Sequence, residues 1–156
     1  MNESSQIDYF YKLSEILTGY NLVTLYGTGQ GNFYFSSLKV ILGKELVTDL
    51  LSEFELIDSV QISEKNTAAE WVNDELLDCD KWGAVCRNII KMWYMGNWYQ
   101  MPVLWRENYV NSNKDVNKVL SANSYIEGLV WKAMGRHPKS AKQPGWATWS
   151  FPPQST

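Results

Sequence analysis

Apolar residues recur at steps of three and four along most of this chain. One such run ends just before Gly19, and Ser4 or Ser5 can cap its start; its apolar members are Ile7, Phe10, Leu13, Ile16 and Leu17. This spacing is typical of amphipathic α-helices. Similar runs predict helices within residues 44–77, from 81 to 99, and from 124 to 134 with Gly135 at the end. We therefore predict an all-α fold class, with residues 1–156 forming a single compact helical domain.

Glycine, proline and polar clusters interrupt this periodicity. From Tyr20 to Asn32 the glycine-rich residues 27–31 interrupt the periodicity, so this stretch predicts a loop or strained turn before a second helix that begins near Asn32. Pro102 ends the aromatic run, and residues 63–67 and 111–113 predict further loops. Residues 27–31 resemble a phosphate-binding loop only superficially, because the following Lys-Ser/Thr pair and the strand context are missing. We predict no nucleotide site there.

Charge and hydropathy exclude two classes of partner. The formal net charge is −3, and the charged residues are scattered along the chain rather than clustered. Nucleic acid is therefore not an expected partner. No run of 18 or more apolar residues occurs, so we expect no direct membrane insertion. Residues 1–5 also lack the basic and apolar regions of a secretory signal.

The sequence offers no evident catalytic constellation. His137 is the only histidine, and its neighbours Arg136 and Lys139 favour an exposed position in an irregular segment. The acidic residues of 53–58 and 70–80 are typical of solvated helix faces. We predict no catalytic, cofactor-binding or metal-binding residues in this chain. A small enzyme built on His137 and nearby carboxylates is one alternative.

The two cysteines, Cys79 and Cys86, do not have the spacing of a zinc site or of a redox pair. Two free thiols are the favoured interpretation. A disulfide between them requires an oxidising compartment and a chain turn over residues 80–83.

Aromatic residues are the strongest signal in the sequence. The chain contains 8 tryptophans, and Trp93, Trp98 and their tyrosine neighbours cover more than one face of the predicted helix. One interpretation places Trp93, Trp98 and Trp131 in the core. Another places them on a partner surface, since Trp, Tyr and Met are enriched in interface cores. The tail, residues 136–156, is rich in proline yet contains large aromatics, so we expect it to pack on something.

Three blocks of the sequence resemble the small (gamma) subunit family of bacterial membrane-associated, FAD-dependent sorbitol, fructose and glucose dehydrogenases. The first block is FYKLSEILTG at 10–19, and the second is IKMWYMGNWY at 90–99. The third is NSYIEGLVW at 123–131, which runs on to AKQPGWATW at 141–149. The order and spacing of the blocks match the family.

This resemblance implies a noncatalytic accessory subunit that supports folding, maturation or export of a large subunit carrying FAD. It also implies a multihaem cytochrome c subunit in some complexes, and a periplasmic location where a twin-arginine leader has been removed; without export the location is cytoplasmic. Residues 1–9, ahead of the first block, contain no twin-arginine motif, so we expect either that a leader was removed or that export depends on the partner. The partner-binding residues that the resemblance implies stand in the matching blocks: Trp93, Tyr94, Trp98, Tyr125, Trp131, Pro144, Gly145, Trp146 and Trp149.

A carbohydrate-binding module is the alternative from another class, because Trp and Tyr faces stack on sugar rings. That function requires several exposed, coplanar aromatic side chains. Gene neighbourhood separates the two hypotheses, since an adjacent reading frame with a dinucleotide-binding glycine motif favours the accessory subunit.

Overall fold

The first half of the chain forms four helices, and capping groups set their starts and ends. The computed structural model describes residues 1–60 and 67–138. The Asn2 side chain accepts a hydrogen bond from the Ser5 backbone N–H, and Gly19 ends the first helix in the left-handed conformation. The helices are α1 (Glu3–Thr18), α2 (Leu22–Gly27), α3 (Gly31–Leu42) and α4 (Lys44–Val60).

Residues 67–138 form one long helix and several short elements. A capping box formed by Thr67 and Glu70 starts the short helix α5, which continues into a π-helical turn. Two short antiparallel strands pair Asn97 with Val119. The elements are α5 (Ala68–Trp71), the π turn (Val72–Leu77), α6 (Asp80–Met95), β1 (Asn97–Trp98), α7 (Val103–Asn108), β2 (Lys118–Val119), α8 (Ala122–Ile126) and α9 (Leu129–Ala133).

The prediction of a mostly helical fold is confirmed, but several boundaries were wrong. The cap of α1 is Asn2 rather than Ser4 or Ser5. Residues 20–32, predicted as a loop, contain α2, whose start is capped by the Asn21 side chain. The helix predicted to reach residue 99 ends at Met95, because Gly96 adopts a left-handed conformation. The helix predicted over 124–134 is the two helices α8 and α9.

One contiguous hydrophobic core joins these elements, with α6 packed on α1 and α4 packed on α1 and α3. Phe10, Leu13, Leu50, Phe54 and Ile89 are fully buried within it. In the described parts of the chain, no helix is both long enough and apolar enough to cross a membrane.

A buried polar cluster fixes the segment that follows α6. The carboxylate of Asp115 accepts hydrogen bonds from Trp98 Nε1 at 2.7 Å and from the Met101 backbone N–H at 3.1 Å. The Asn88 side chain of α6 donates to the Tyr99 carbonyl at 2.8 Å and accepts from the Tyr99 N–H. Because the carboxylate and amide are buried, these bonds supply the partners that water would otherwise provide.

Gly96 allows α8 to approach the end of α6 closely. Its φ is 68°, and a Cβ placed there would overlap the backbone of Ser124. Both the left-handed conformation and the space favour glycine. Gly135 has a similar φ of 62° but open space around the corresponding position.

We expect Gly96→Ala to lower the free energy of unfolding more than Gly135→Ala does. Both substitutions place an L-residue in the left-handed region, at a cost of roughly 1–2 kcal/mol. Only Gly96→Ala also pushes against the backbone of Ser124. Chemical denaturation of the two variants measures the difference, and equal losses would contradict the close contact between α6 and α8.

Candidate partner-binding surface

Trp93, the first residue of the predicted partner surface, lies in the core. Its side chain is 1% exposed. The centroid of its ring lies 6.2 Å from that of Phe10, on which it stacks, and 5.0 Å from that of Tyr34, which it meets edge-to-face. A partner cannot reach this indole while the domain is folded, so the core interpretation holds for Trp93.

Trp98 is also buried, and the hydrogen bond from its Nε1 to Asp115 holds β1 against the loop before β2. Its role is therefore structural in the folded chain. Neither Trp93 nor Trp98 presents a ring to the surface, and the prediction that they contact a partner directly needs correction. The physical reason is that α6 packs Trp93 against Phe10 of α1 and Tyr34 of α3, while Asp115 holds the indole of Trp98 in the interior.

Tyr94 stands between core and surface. It is half-buried, and its hydroxyl donates a hydrogen bond of 2.7 Å to the carbonyl oxygen of Thr18 at the end of α1. Its ring lies 6.0 Å from that of Tyr20. Burial and the neighbouring Tyr20 hydroxyl raise the pKa of Tyr94 above its ordinary value. Tyr94 thus joins α6 to the end of α1.

Tyr125 and Trp131 are the predicted residues that do reach the surface. Tyr125 is 40% exposed, and Trp131 is partly exposed. Their rings meet edge-to-face at 5.4 Å, and Trp131 Nε1 donates to the Tyr125 carbonyl at 2.8 Å. The short loop between α8 and α9 is what brings the two side chains together.

The described parts of the three blocks that carry the family resemblance meet in space. Block one contacts block two through Phe10 and Trp93 and through Thr18 and Tyr94. Block two contacts block three through the close approach of Gly96 to Ser124. A Cβ at Gly128 of block three would lie 2.7 Å from the Tyr94 carbonyl oxygen. Segments distant in sequence therefore form one packed unit that runs from the core to the surface.

A groove of about 540 Å³ opens beside this unit, between α2 and the α8–α9 pair. We call it the Trp131 groove. Val23 on one wall is 79% exposed, while Pro138, the last described residue, is buried at its edge. The lining residues are Val23, Thr24, Gly27, Thr28, Ile126, Glu127, Gly128, Leu129, Trp131, Lys132, Arg136, His137 and Pro138.

The α2 wall of this groove was missed in the sequence, where residues 20–32 were interpreted as a loop. Asn21 accepts from the Thr24 N–H as an N-cap, and Leu25 is fully buried one turn later. An Asn followed by Leu residues three apart was a usable helix signal. The glycines of 27–31 obscured it.

The remaining predicted residues, Pro144, Gly145, Trp146 and Trp149, lie outside the described residues.

The geometry of the exposed aromatic rings and of His137 bears on the two alternative functions. The exposed aromatic pair, Tyr125 and Trp131, has an interplanar angle of 78°, so the two rings do not form a flat platform for a sugar. His137 is exposed in the same groove as Glu127. Within residues 1–60 and 67–138, no group of three or more His, Cys, Asp or Glu side chains is placed to hold a metal ion.

Comparison with known proteins gives no match: neither a family model, nor a curated protein, nor a solved structure resembles this chain significantly.

Cys79 and Cys86 are both free thiols. The turn expected over residues 80–83 is instead the first turn of α6, with Cys79 as its N-cap. Cys86 follows Cys79 by seven positions, which corresponds to about 10.5 Å along a helix axis and exceeds the span a disulfide bridges without backbone movement. Cys86 is fully buried, and burial raises the pKa of its thiol to about 12.

We expect the two thiols to differ strongly in reactivity. The partly exposed Cys79 should react with iodoacetamide in the native protein, while Cys86 should react only after unfolding, because its thiolate is inaccessible and scarce. Mass spectrometry of labelled peptides measures both rates. Equal rates, or a bridged pair in protein recovered from an oxidising compartment, would contradict the continuous helix between them.

Tyr34 of α3 packs against the Trp93 ring and is 1% exposed. Burial raises its pKa to about 12; the Ser124 hydroxyl opposes the shift and the Glu127 carboxylate adds to it. Because the folded-state pKa lies above the unfolded value, this contribution to stability is complete below about pH 10. It disappears as the pH rises through 12.

We therefore expect wild-type protein to lose more stability than Tyr34→Phe between pH 10 and 12. Two pKa units correspond to about 2.7 kcal/mol. Both proteins retain Cys86, so its alkaline titration cancels in the comparison. Urea denaturation across this pH range measures the difference, with Tyr109→Phe, which alters an exposed ring, as the matched control. Parallel curves for wild type and Tyr34→Phe would count against the buried hydroxyl.

Proposed function

We propose that this chain is the noncatalytic small subunit of a flavin-dependent sugar or polyol dehydrogenase complex. In this role it supports the folding, maturation or export of a large subunit that carries FAD, and it holds no cofactor itself. The substrate is bound and oxidised by the large subunit. A multihaem cytochrome c subunit is a further expected member of the complex, which would lie at the periplasmic face of the inner membrane once exported.

The observation that supports this proposal most directly is the convergence of the three family-like blocks. Their residues contact one another through Phe10, Trp93 and Tyr94 in the interior and through Gly96 and Ser124 towards the surface. The third block supplies two aromatic side chains, Tyr125 and Trp131, that reach the surface beside the Trp131 groove.

Tyr125 and Trp131 are the described residues that this proposal assigns to the partner interface. A large, partly exposed aromatic pair with one ring already fixed by a hydrogen bond loses little side-chain freedom on binding. Aromatic residues of this kind dominate the binding energy of protein interfaces. The basic side chains of Lys132 and Arg136 at the groove provide the polar rim.

The proposal is tested by coexpression with the neighbouring reading frame that carries a dinucleotide-binding glycine motif. We expect that flavoprotein to be soluble and loaded with FAD only when this chain is present, and to copurify with it. This chain purified alone should be colourless and should not oxidise polyols with artificial electron acceptors. A flavoprotein that loads FAD equally well without this chain would contradict an accessory role.

We expect Trp131→Ala to weaken association with that flavoprotein by about tenfold or more, as for an interface hot spot. Leu104→Ala is the matched control, because Leu104 is 72% exposed on α7, away from the groove. Surface plasmon resonance measures the two affinities, and melting temperatures check that both variants remain folded. Equal affinities for the two variants would exclude the Trp131 groove from the interface.

A further inference from the structure

Charged residues are scattered along most of the chain, but the acidic ones end at Glu127. All 17 Asp and Glu residues lie within residues 1–127. Residues 128–156 contain no acidic residue and four cations: Lys132, Arg136, Lys139 and Lys142. The formal net charge of −3 is therefore the sum of a positive end and a more negative remainder. Such an asymmetry favours an anionic partner for the positive end.

Two of these cations line the Trp131 groove. Lys132 and Arg136 are both exposed members of its lining. The Arg136 backbone N–H donates to the Trp131 carbonyl at 2.8 Å, and the Gly135 N–H donates to the Lys132 carbonyl at 3.1 Å. Together with the left-handed conformation of Gly135, these bonds form a Schellman motif at the end of α9. The motif fixes the backbone of both cations beside Trp131.

Little negative charge opposes these cations within the groove. Among its described lining residues, Glu127 is the acidic one, and its side chain is half-buried. The α2 wall adds no charge, because residues 16–38 contain neither acidic nor basic side chains. Lys139 directly follows Pro138, which lines the edge of the groove. The groove therefore carries a net positive charge.

The same groove offers a limited apolar surface. Ile126 and Trp131 contribute to its lining, Val23 is 79% exposed on the α2 wall, and the volume of about 540 Å³ accommodates a few side chains. Nucleic acid, a long polyanion, would also meet the more negative remainder of the chain, which repels it. Residues 139–156 are basic and do not supply the opposite charge. A short protein segment that combines carboxylates with an apolar side chain matches both properties of the groove.

We propose that the Trp131 groove recognises an acidic segment of a partner protein, whose carboxylates face Lys132 and Arg136 and whose apolar side chain packs on Trp131. This inference rests on the proposed function, under which the partner is the large subunit that carries FAD. Charge-assisted hydrogen bonds from Lys and Arg to carboxylates are stronger than bonds between neutral groups. The negative remainder of the chain also disfavours docking of an acidic segment elsewhere on its surface.

Association with the flavoprotein should depend on these charges. At low ionic strength, Arg136→Glu and Lys132→Glu should each weaken it about tenfold, and Lys114→Glu, an exposed lysine outside the groove, is the matched control. Raising NaCl from about 0.05 M to about 0.5 M should remove most of that difference, because salt screens exposed charges. Trp131→Ala should weaken binding at both salt concentrations. Surface plasmon resonance measures the affinities, and melting temperatures check the fold.

A short peptide of Glu and Asp residues around one Leu tests the groove without the flavoprotein. In fluorescence polarisation, the full chain should bind this peptide more tightly than a version with Gln and Asn in place of the acidic residues. Arg136→Glu should weaken binding about tenfold. The double variant of Lys132→Glu and Arg136→Glu should bind a version with Lys in place of the acidic residues more tightly than the wild-type chain does. This exchange of preference does not follow from a loss of fold stability.

The outcomes separate this inference from the proposed function. Equal affinities of Arg136→Glu and Lys114→Glu for the flavoprotein and for the acidic peptide would overturn the inference, while association of the flavoprotein would still support the proposed function. Acidic-peptide binding without any association of the flavoprotein would support the groove's preference and contradict the proposed function.

Two further results would assign the groove to another occupant and overturn the inference. One is tighter binding of a short oligothymidylate, or of phosphatidylglycerol vesicles, than of the acidic peptide. The other is self-association of the chain that Arg136→Glu abolishes, which would show that the acidic surface of a second copy occupies the groove.

Discussion

The burial of Trp93 is the contact on which the arrangement of the other elements depends. Its indole lies against Phe10 of α1 and Tyr34 of α3, so one side chain of α6 joins three helices. With α6 held in this way, its next residue, Tyr94, reaches the end of α1, and Gly96 receives α8. Packing at the centre thereby determines where the short C-terminal helices can lie.

Aromatic residues in this chain divide into two groups with different roles. Trp93 and Trp98 supply core packing and, through Asp115, the order of the segment after α6. Tyr125 and Trp131 lie at the outer edge of the same packed unit. The large number of tryptophans therefore serves both a core and a surface, and the surface group is positioned by the core group.

Grooves at the two ends of α6 differ in charge. The Trp131 groove contains Lys132 and Arg136, whereas a groove beside Trp71, at the start of α6, has Glu53 and Glu75 at its rim. The proposed function assigns the partner subunit to the surface around Trp131.

The sequence by itself determined the helical class and the approximate positions of α1, α4 and α6, because their apolar spacing and the stop of α1 at Gly19 are local properties. The stop of α6 at Gly96 was missed. The sequence also singled out the aromatic blocks.

Only the tertiary structure decided which aromatic side chains are buried. The aromatic end of α6 is covered because helices distant in sequence pack on it. The helix α2 and the strand pair of β1 with β2 were likewise missed, because short elements depend on contacts far along the chain: Leu22 donates to Glu15, and Trp98 bonds to Asp115. Likewise, no local pattern placed Glu53 and Glu75 around one groove, because α4 and the π turn meet only through packing in the folded chain.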